Sequence, residues 1–238
     1  MSSSQPTGLQ ALRLLQNGNE RFRNGLRSID ALASNKKMQE LAEKGQSPFA
    51  IILTCSDSRV PAETVFDQGL GDLFVIRVAG NVVAPSLIAS IEFAASKFQT
   101  PLCVVMGHTA CGAIDSTITV EQENAQIASP NLSALVEMIR PVVKSTMQKN
   151  PGITRDKLLP LATLHNVRQS VDQLLERSEV IRQLSASGKL LLTGAVYDIR
   201  TGKVDFEDVA HMAIQEDGHT VATTGRTENG VHATFAHK

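Results

Sequence analysis

Three short runs, "FAIILT" (49–54), "LFVIR" (73–77) and "LCVVMG" (102–107), are apolar without alternation. A strand with one wet face alternates; an unbroken run suits a strand covered on both faces, as inside a parallel sheet. Parallel neighbours need crossovers between them, and helical patterns fill the gaps. Pro61 is placed to open a helix through "AETVFDQ" that Gly69 ends. "PSLIASIEFAASKF" (85–98) carries a wide apolar helical face. After "CGAIDSTI" come two more helical patterns, roughly 131–149 and 154–186, separated by "NPGIT". "KLLLTGAVYD" (189–198) and "IRTGKVDFE" then read as a strand, a turn and a short strand. The expected fold is α/β: one mostly parallel β-sheet of four to five strands, flanked by helices and joined by right-handed crossovers.

Two amphipathic patterns precede the first strand. "LQALRLLQNGNERFRNG" stops at Gly25, and "SNKKMQELAEKG" has Ser34 as N-cap and Gly45 as stop. The division expected is an N-terminal helical arm over 1–45, an α/β domain over 46–210 and an irregular extension over 211–238. A net charge of −1 gives no field that would attract nucleic acid or an anionic membrane. No apolar run approaches the ~20 residues a membrane span needs, and the N-terminus lacks the regions of a secretory leader. Three cysteines do not make a disulfide framework. A reduced, cytoplasmic setting is expected.

The chemistry is concentrated at two strand ends. "TCSDSR" follows the first run, with Cys55, Asp57 and Arg59 at alternate positions, and "GHTACG" follows the third, with His108 and Cys111. Ligands of parallel sheets gather beyond the C-terminal ends of the strands. His-x-x-Cys lets two side chains of one turn converge, and a helix start favours the thiolate. Two sulfurs and one imidazole suit Zn²⁺, and three protein ligands leave a fourth position open. The plainer alternatives are a buried apolar role for each cysteine, the reading given to mid-strand Cys103, and a surface ion pair for Asp57 and Arg59. His165, His211, His219, His232 and His237 show no ligand spacing.

"CSDSRVPAE", "GDLFVIRVAGN" and "GHTACGAI" together resemble the β-class carbonic anhydrases, from "LQNGNERF" through "TGAVYDIRTGKV". Val78 departs from the Asn many members carry. The resemblance implies one zinc per chain on Cys55, His108 and Cys111, and reversible hydration of carbon dioxide to bicarbonate and a proton by zinc-bound hydroxide. Asp57 would orient that hydroxide and Arg59 would hold Asp57. It further implies a pocket of Gln46, Val60, Phe74, Phe93 and Gly112, built between two protomers with N-terminal helices crossing to the neighbour. A homodimer or dimer of dimers follows, without nucleic-acid or membrane partners. The two phenylalanines are as readily core as pocket.

Some bacterial members are switched off when the Asp ligates zinc, with bicarbonate held nearby. "VPA" at 60–62 and Arg77 resemble parts of that bicarbonate pocket, but its Trp is Ile52 here and Gln46 matches members lacking the switch; with the indole wall missing, a plant-like, non-switching form is expected. The alternatives are a hydrolase of carbonyl sulfide or carbon disulfide on the same fold, and an inactive zinc-stabilised interaction protein with Asp57 as fourth ligand.

Overall fold

The computed structural model describes residues 5–28, 34–127 and 129–207. The expected C-terminal extension, with His211, His219, His232 and His237, lies outside them. Five strands form one sheet in the order β2-β1-β3-β4-β5: β1 (Ala50–Thr54), β2 (Leu73–Arg77), β3 (Leu102–His108), β4 (Leu191–Tyr197) and β5 (Val204–Phe206). The first four are mutually parallel, and β5 runs antiparallel to β4.

The unbroken apolar runs are explained by what covers each face. Ala50 and Ile52 of β1, with Leu102, Val104 and Met106 of β3, pack beneath α1 (Gly8–Arg23) and the short α3 (Ala62–Val65). Their neighbours Ile51, Leu53, Cys103 and Val105 face α4 (Pro85–Lys97), α7 (Arg155–Arg177) and α8 (Glu179–Ala186). Cys103 is fully buried in that second layer, as its mid-strand position suggested. A third cluster, where α5 (Gly112–Glu123) and α6 (Pro130–Lys149) meet α7, includes Cys55 and Cys111. The second helix, α2 (Asn35–Lys44), carries no buried residue.

Helix α1 packs within its own chain. Ala11, Leu12 and Leu15 enter the first cluster. A Cβ on Gly18 would stand 1.8 Å from the Phe66 carbonyl oxygen, so only glycine allows this approach. Buried Asn19 donates to the Val65 and Gly202 carbonyls and accepts from the Val204 N–H, joining α1 to both ends of the fold.

Two expectations need correction. The helix opened by Pro61 stops at Val65 rather than continuing towards Gly69, because Asp67 takes a left-handed conformation (φ 47°) and turns its carboxylate to Arg21 and the Ser28 N–H. The long pattern over 154–186 is two helices. Ser178 adopts extended backbone, and its hydroxyl caps α8 at the Ile181 N–H while donating to Glu92, which ends α7.

Candidate metal centre

Strand β1 ends at Thr54, opposite Met106 of β3, and β3 runs on to His108. Because the two strands are adjacent and parallel, Cys55 and His108 leave the sheet on the same rim. The turn after His108 holds Ala110 in the left-handed region (φ 55°) and brings Cys111 to the N-cap of α5. The ligand atoms of Cys55, His108 and Cys111 all lie within 4.8 Å of one another, and all three residues are buried. A tetrahedral zinc centre with ordinary bond lengths has ligand–ligand edges of roughly 3.5 Å, so a small contraction would close the set.

The donors are prepared for a metal in three ways. His108 Nδ1 donates to the Thr109 carbonyl at 3.0 Å, which sets the tautomer that leaves Nε2 a bare lone pair. That Nε2 is buried and lacks any hydrogen-bond partner among the described residues; an orphaned polar atom here is costly unless something coordinates it. Cys55 and Cys111 are free thiols. The neighbouring Cys111 thiol pushes the Cys55 thiol down, against the effect of burial, and the Gly80 N–H adds to this. The same contact, and then burial, push Cys111 up. A divalent metal binds cysteine as thiolate, so its binding here would release the thiol protons.

Asp57 and Arg59 form a bidentate pair. Arg59 Nε donates to Asp57 Oδ1 at 2.9 Å and a terminal nitrogen donates to Oδ2 at 2.7 Å, while the Arg59 N–H also reaches Oδ1. The guanidinium holds the Asp57 carboxyl well below the usual carboxylate range, outweighing its partial burial. Asp57 Oδ2 lies 3.9 Å from His108 Nε2, so an ionised acceptor stands beside the ligand set. Arg59 also donates to the Ala110 carbonyl at 3.3 Å, bridging the two loops.

Arg77 is a part of the site whose role the sequence does not reveal. It closes the first loop from β2, donating to the Cys55 carbonyl at 3.1 Å and the Asp57 carbonyl at 2.5 Å.

The expected pocket residues divide between the two ends of the sheet. Val60 is buried beside the Asp57 turn, its N–H donating to the Asp57 carbonyl. Gly112 is exposed next to Cys111 with open space where a Cβ would be. It borders an apolar groove of about 360 Å³ that also takes in Ala79, Ala113 and Leu135. Gln46 and Phe74 lie at the other end. Gln46 is exposed before β1 begins, and Phe74 pairs with Ile51, four residues before Cys55, or about 13 Å along a strand. Phe93, on α4, is 54% exposed, so it is not a core residue. It sits edge-on to Phe98, with centroids 5.6 Å apart, and 6.3 Å from Phe74. One chain therefore does not bring Gln46, Phe74 and Phe93 to its own metal ligands. His165 pairs with the Thr146 hydroxyl at 2.8 Å and takes no part in the cluster.

A protein-family model described as carbonic anhydrase matches residues 50–204. The chain is 34% identical over 207 residues to a carbonic anhydrase of Mycolicibacterium smegmatis, covering 86% of this chain and 95% of the relative. It is 33% identical over 198 residues to carbonic anhydrase 2 of Mycobacterium tuberculosis, covering 83% and 92%. Among solved structures, one of two tetrameric β-carbonic anhydrases of the ascomycete Sordaria macrospora matches with a TM-score of 0.65 at 25% identity, over 72% of this chain and 86% of that one. The β-carbonic anhydrase CcaA shares the fold with a TM-score of 0.68 at 24% identity, over 85% and 96%.

Proposed function

Because this chain belongs to the β-class carbonic anhydrases, a family of lyases, we propose that it interconverts carbon dioxide and bicarbonate on one zinc ion held by Cys55, His108 and Cys111. The observation that carries the zinc assignment is the buried, orphaned His108 Nε2 grouped with the Cys55 and Cys111 sulfurs, all within 4.8 Å of one another. When bound, Zn²⁺ supplies Lewis acidity that lowers the pKa of a water ligand towards neutrality.

The chain's own residues supply the rest. Asp57, kept ionised by Arg59, has no proton to give and acts as an acceptor, fixing the direction of an O–H beside the ligands. Arg77 holds the Cys55–Asp57 backbone, and Arg59 ties the Asp57 carboxylate to the Ala110 carbonyl of the second loop, so the acceptor keeps its place relative to the ligand set. Asp57 and Arg59 beside the centre are paired with each other, which suits an uncharged substrate. With Asp57 held by Arg59 and Ile52 where the switching members have Trp, the plant-like, non-switching form is the reading we favour. The membrane plays no part in this scheme, and no helix among the described residues is long and apolar enough to cross one.

A homodimer is the minimum unit in this reading. Gln46, Phe74 and exposed Phe93 stand at the far end of the sheet from their own ligands, which supports their lining the site of a neighbouring copy.

The test is a stopped-flow carbon dioxide hydration assay on protein of measured zinc content. Turnover proportional to zinc, abolished by chelation and restored by zinc, is expected. Zinc-loaded protein that hydrates no carbon dioxide but hydrolyses carbonyl sulfide, or turns over neither, would overturn the assignment.

A further inference from the structure

The buried polar face of α7 has no role in the scheme so far. Three of its side chains, Thr163, Asn166 and Ser170, are almost wholly buried. The Thr163 hydroxyl donates within its own helix to the Leu159 carbonyl. The other two leave the helix. Asn166 Nδ2 donates to the Gly80 carbonyl at 2.8 Å, and the Ser170 hydroxyl donates to the Asn81 carbonyl at 3.0 Å. Four residues apart, they share one helix face and grip two consecutive carbonyls of the 3-10 turn Ala79–Asn81.

That turn is not relaxed. Gly80 and Asn81 are both left-handed, at φ 69° and 44°. A Cβ on Gly80 would meet Ile139 at 2.8 Å and Ala113 at 3.2 Å, so the turn is also wedged between α5 and α6. What it offers in return is one N–H: that of Gly80 donates to Cys55 Sγ at 3.4 Å. The peptide before the Gly80 Cα thus serves the sulfur, and the peptide after it is held by Asn166.

We propose that Asn166, seconded by Ser170, is a positioning residue for the metal centre: by clamping the Gly80–Asn81 carbonyls it aims the Gly80 N–H at the Cys55 thiolate. An N–H donated to a metal-bound thiolate withdraws charge from it, so the clamp sets how strongly Cys55 donates to the metal. Partners of this kind outside the ligand set change metal affinity by about 10- to 100-fold when removed. The close approach of α7 makes the reach possible. Val167, beside Asn166, packs onto Gly107 and Gly194, where any Cβ would stand 2.7 Å from it.

This inference rests on the proposed metal reading, and the experiment separates the two. The full-length protein is loaded with cobalt(II), and the near-ultraviolet thiolate-to-cobalt charge-transfer band is recorded. Zinc affinity is measured in parallel by chelator competition. If the unaltered protein shows no thiolate band, the metal reading itself fails. If it does, Asn166→Leu should shift the band and weaken zinc at least about tenfold, with Ser170→Ala changing both in the same direction by less. Thr163→Val, on the same buried face but without a bond to the turn, should leave both unchanged whatever it does to thermal stability. An unmoved band and affinity in Asn166→Leu would refute the clamp. So would equal changes in Thr163→Val, which would reduce the effect to general packing. Should Asn166→Leu not fold, Ser170→Ala decides alone, and unchanged values there also refute it.

Discussion

Substituting Gly107 tests how tightly α7 is seated on the sheet. Gly107 lies within β3, immediately before the candidate ligand His108, and its φ is not in the left-handed region, so Ala adds no backbone strain. The added methyl would stand 2.7 Å from Val167 Cγ2 and 3.3 Å from Thr163 Cγ2, against an optimum of about 3.5–4 Å between carbons. Val167 has no easy escape. A β-branched side chain in a helix has one strongly preferred χ1, and its other methyl, Cγ1, already sits over Gly194. Nor can α7 retreat freely, because Asn166 and Ser170 tie it to the 79–81 turn. Overpacking of this kind costs about 1–3 kcal/mol; about 2 kcal/mol corresponds to a loss of roughly 4–8 °C in Tm for a chain of this size.

Val167→Ala alone should also destabilise, by opening a cavity above both glycines. In the double variant the new methyl occupies space that Val167 Cγ2 has left. The combined loss should therefore fall short of the sum of the single losses by at least about 1 kcal/mol. The assay is chemical denaturation of zinc-saturated protein at fixed concentration, so that ligand and subunit linkage cancel. Losses that add to within about 0.5 kcal/mol would refute the direct Gly107–Val167 contact and the close seating of α7 inferred from it.

Cys111→Ser should lose most bound zinc, measured by atomic absorption after dialysis against a weak chelator; full occupancy would dismiss Cys111 as a ligand. Asp57→Asn and Arg59→Ala should keep zinc yet lower carbon dioxide hydration by about 10²-fold, the scale of a positioned acid–base group. Normal turnover in both would return the pair to a surface ion pair. Burial opposes ionisation of Asp67, but Arg21 and the Ser28 N–H hold its carboxyl below the usual range. A carboxylate lowered in the folded state stabilises fully above about pH 4 and loses that contribution as pH falls through its folded value. Asp67→Asn should cost about 2 kcal/mol at pH 7, and the difference from the unaltered protein should shrink in denaturation curves taken below pH 4. A gap that stays constant down to pH 2 would show that the Asp67 charge is not what matters.

Much of this molecule is local in origin and legible in the sequence. The three unbroken apolar runs announce strands covered on both faces, and all three appear within a residue or two of where the pattern puts them. Ser34 and Gly45 bound α2, and Pro85 opens α4, because caps and fixed φ act over single turns. Cys55, His108 and Cys111 are visible because their residue types are few and each adjoins a strand end. What the tertiary structure decided depends on contacts between distant segments. That Cys55 meets His108 follows from β1 and β3 being neighbours, a consequence of strand order that no local pattern carries. The turn at Asp67 and the break at Ser178 arise because a side chain finds partners far along the chain, in α1 and in Glu92, and these override helical periodicity. Asn166 reads as an ordinary polar residue on a long helix; only the packing of α7 over two glycines brings it to Gly80. The separation of Phe74 from its own ligands is likewise a matter of register, since a strand advances about 3.3 Å per residue from one rim of the sheet to the other, and Phe93 on α4 lies beside Phe74.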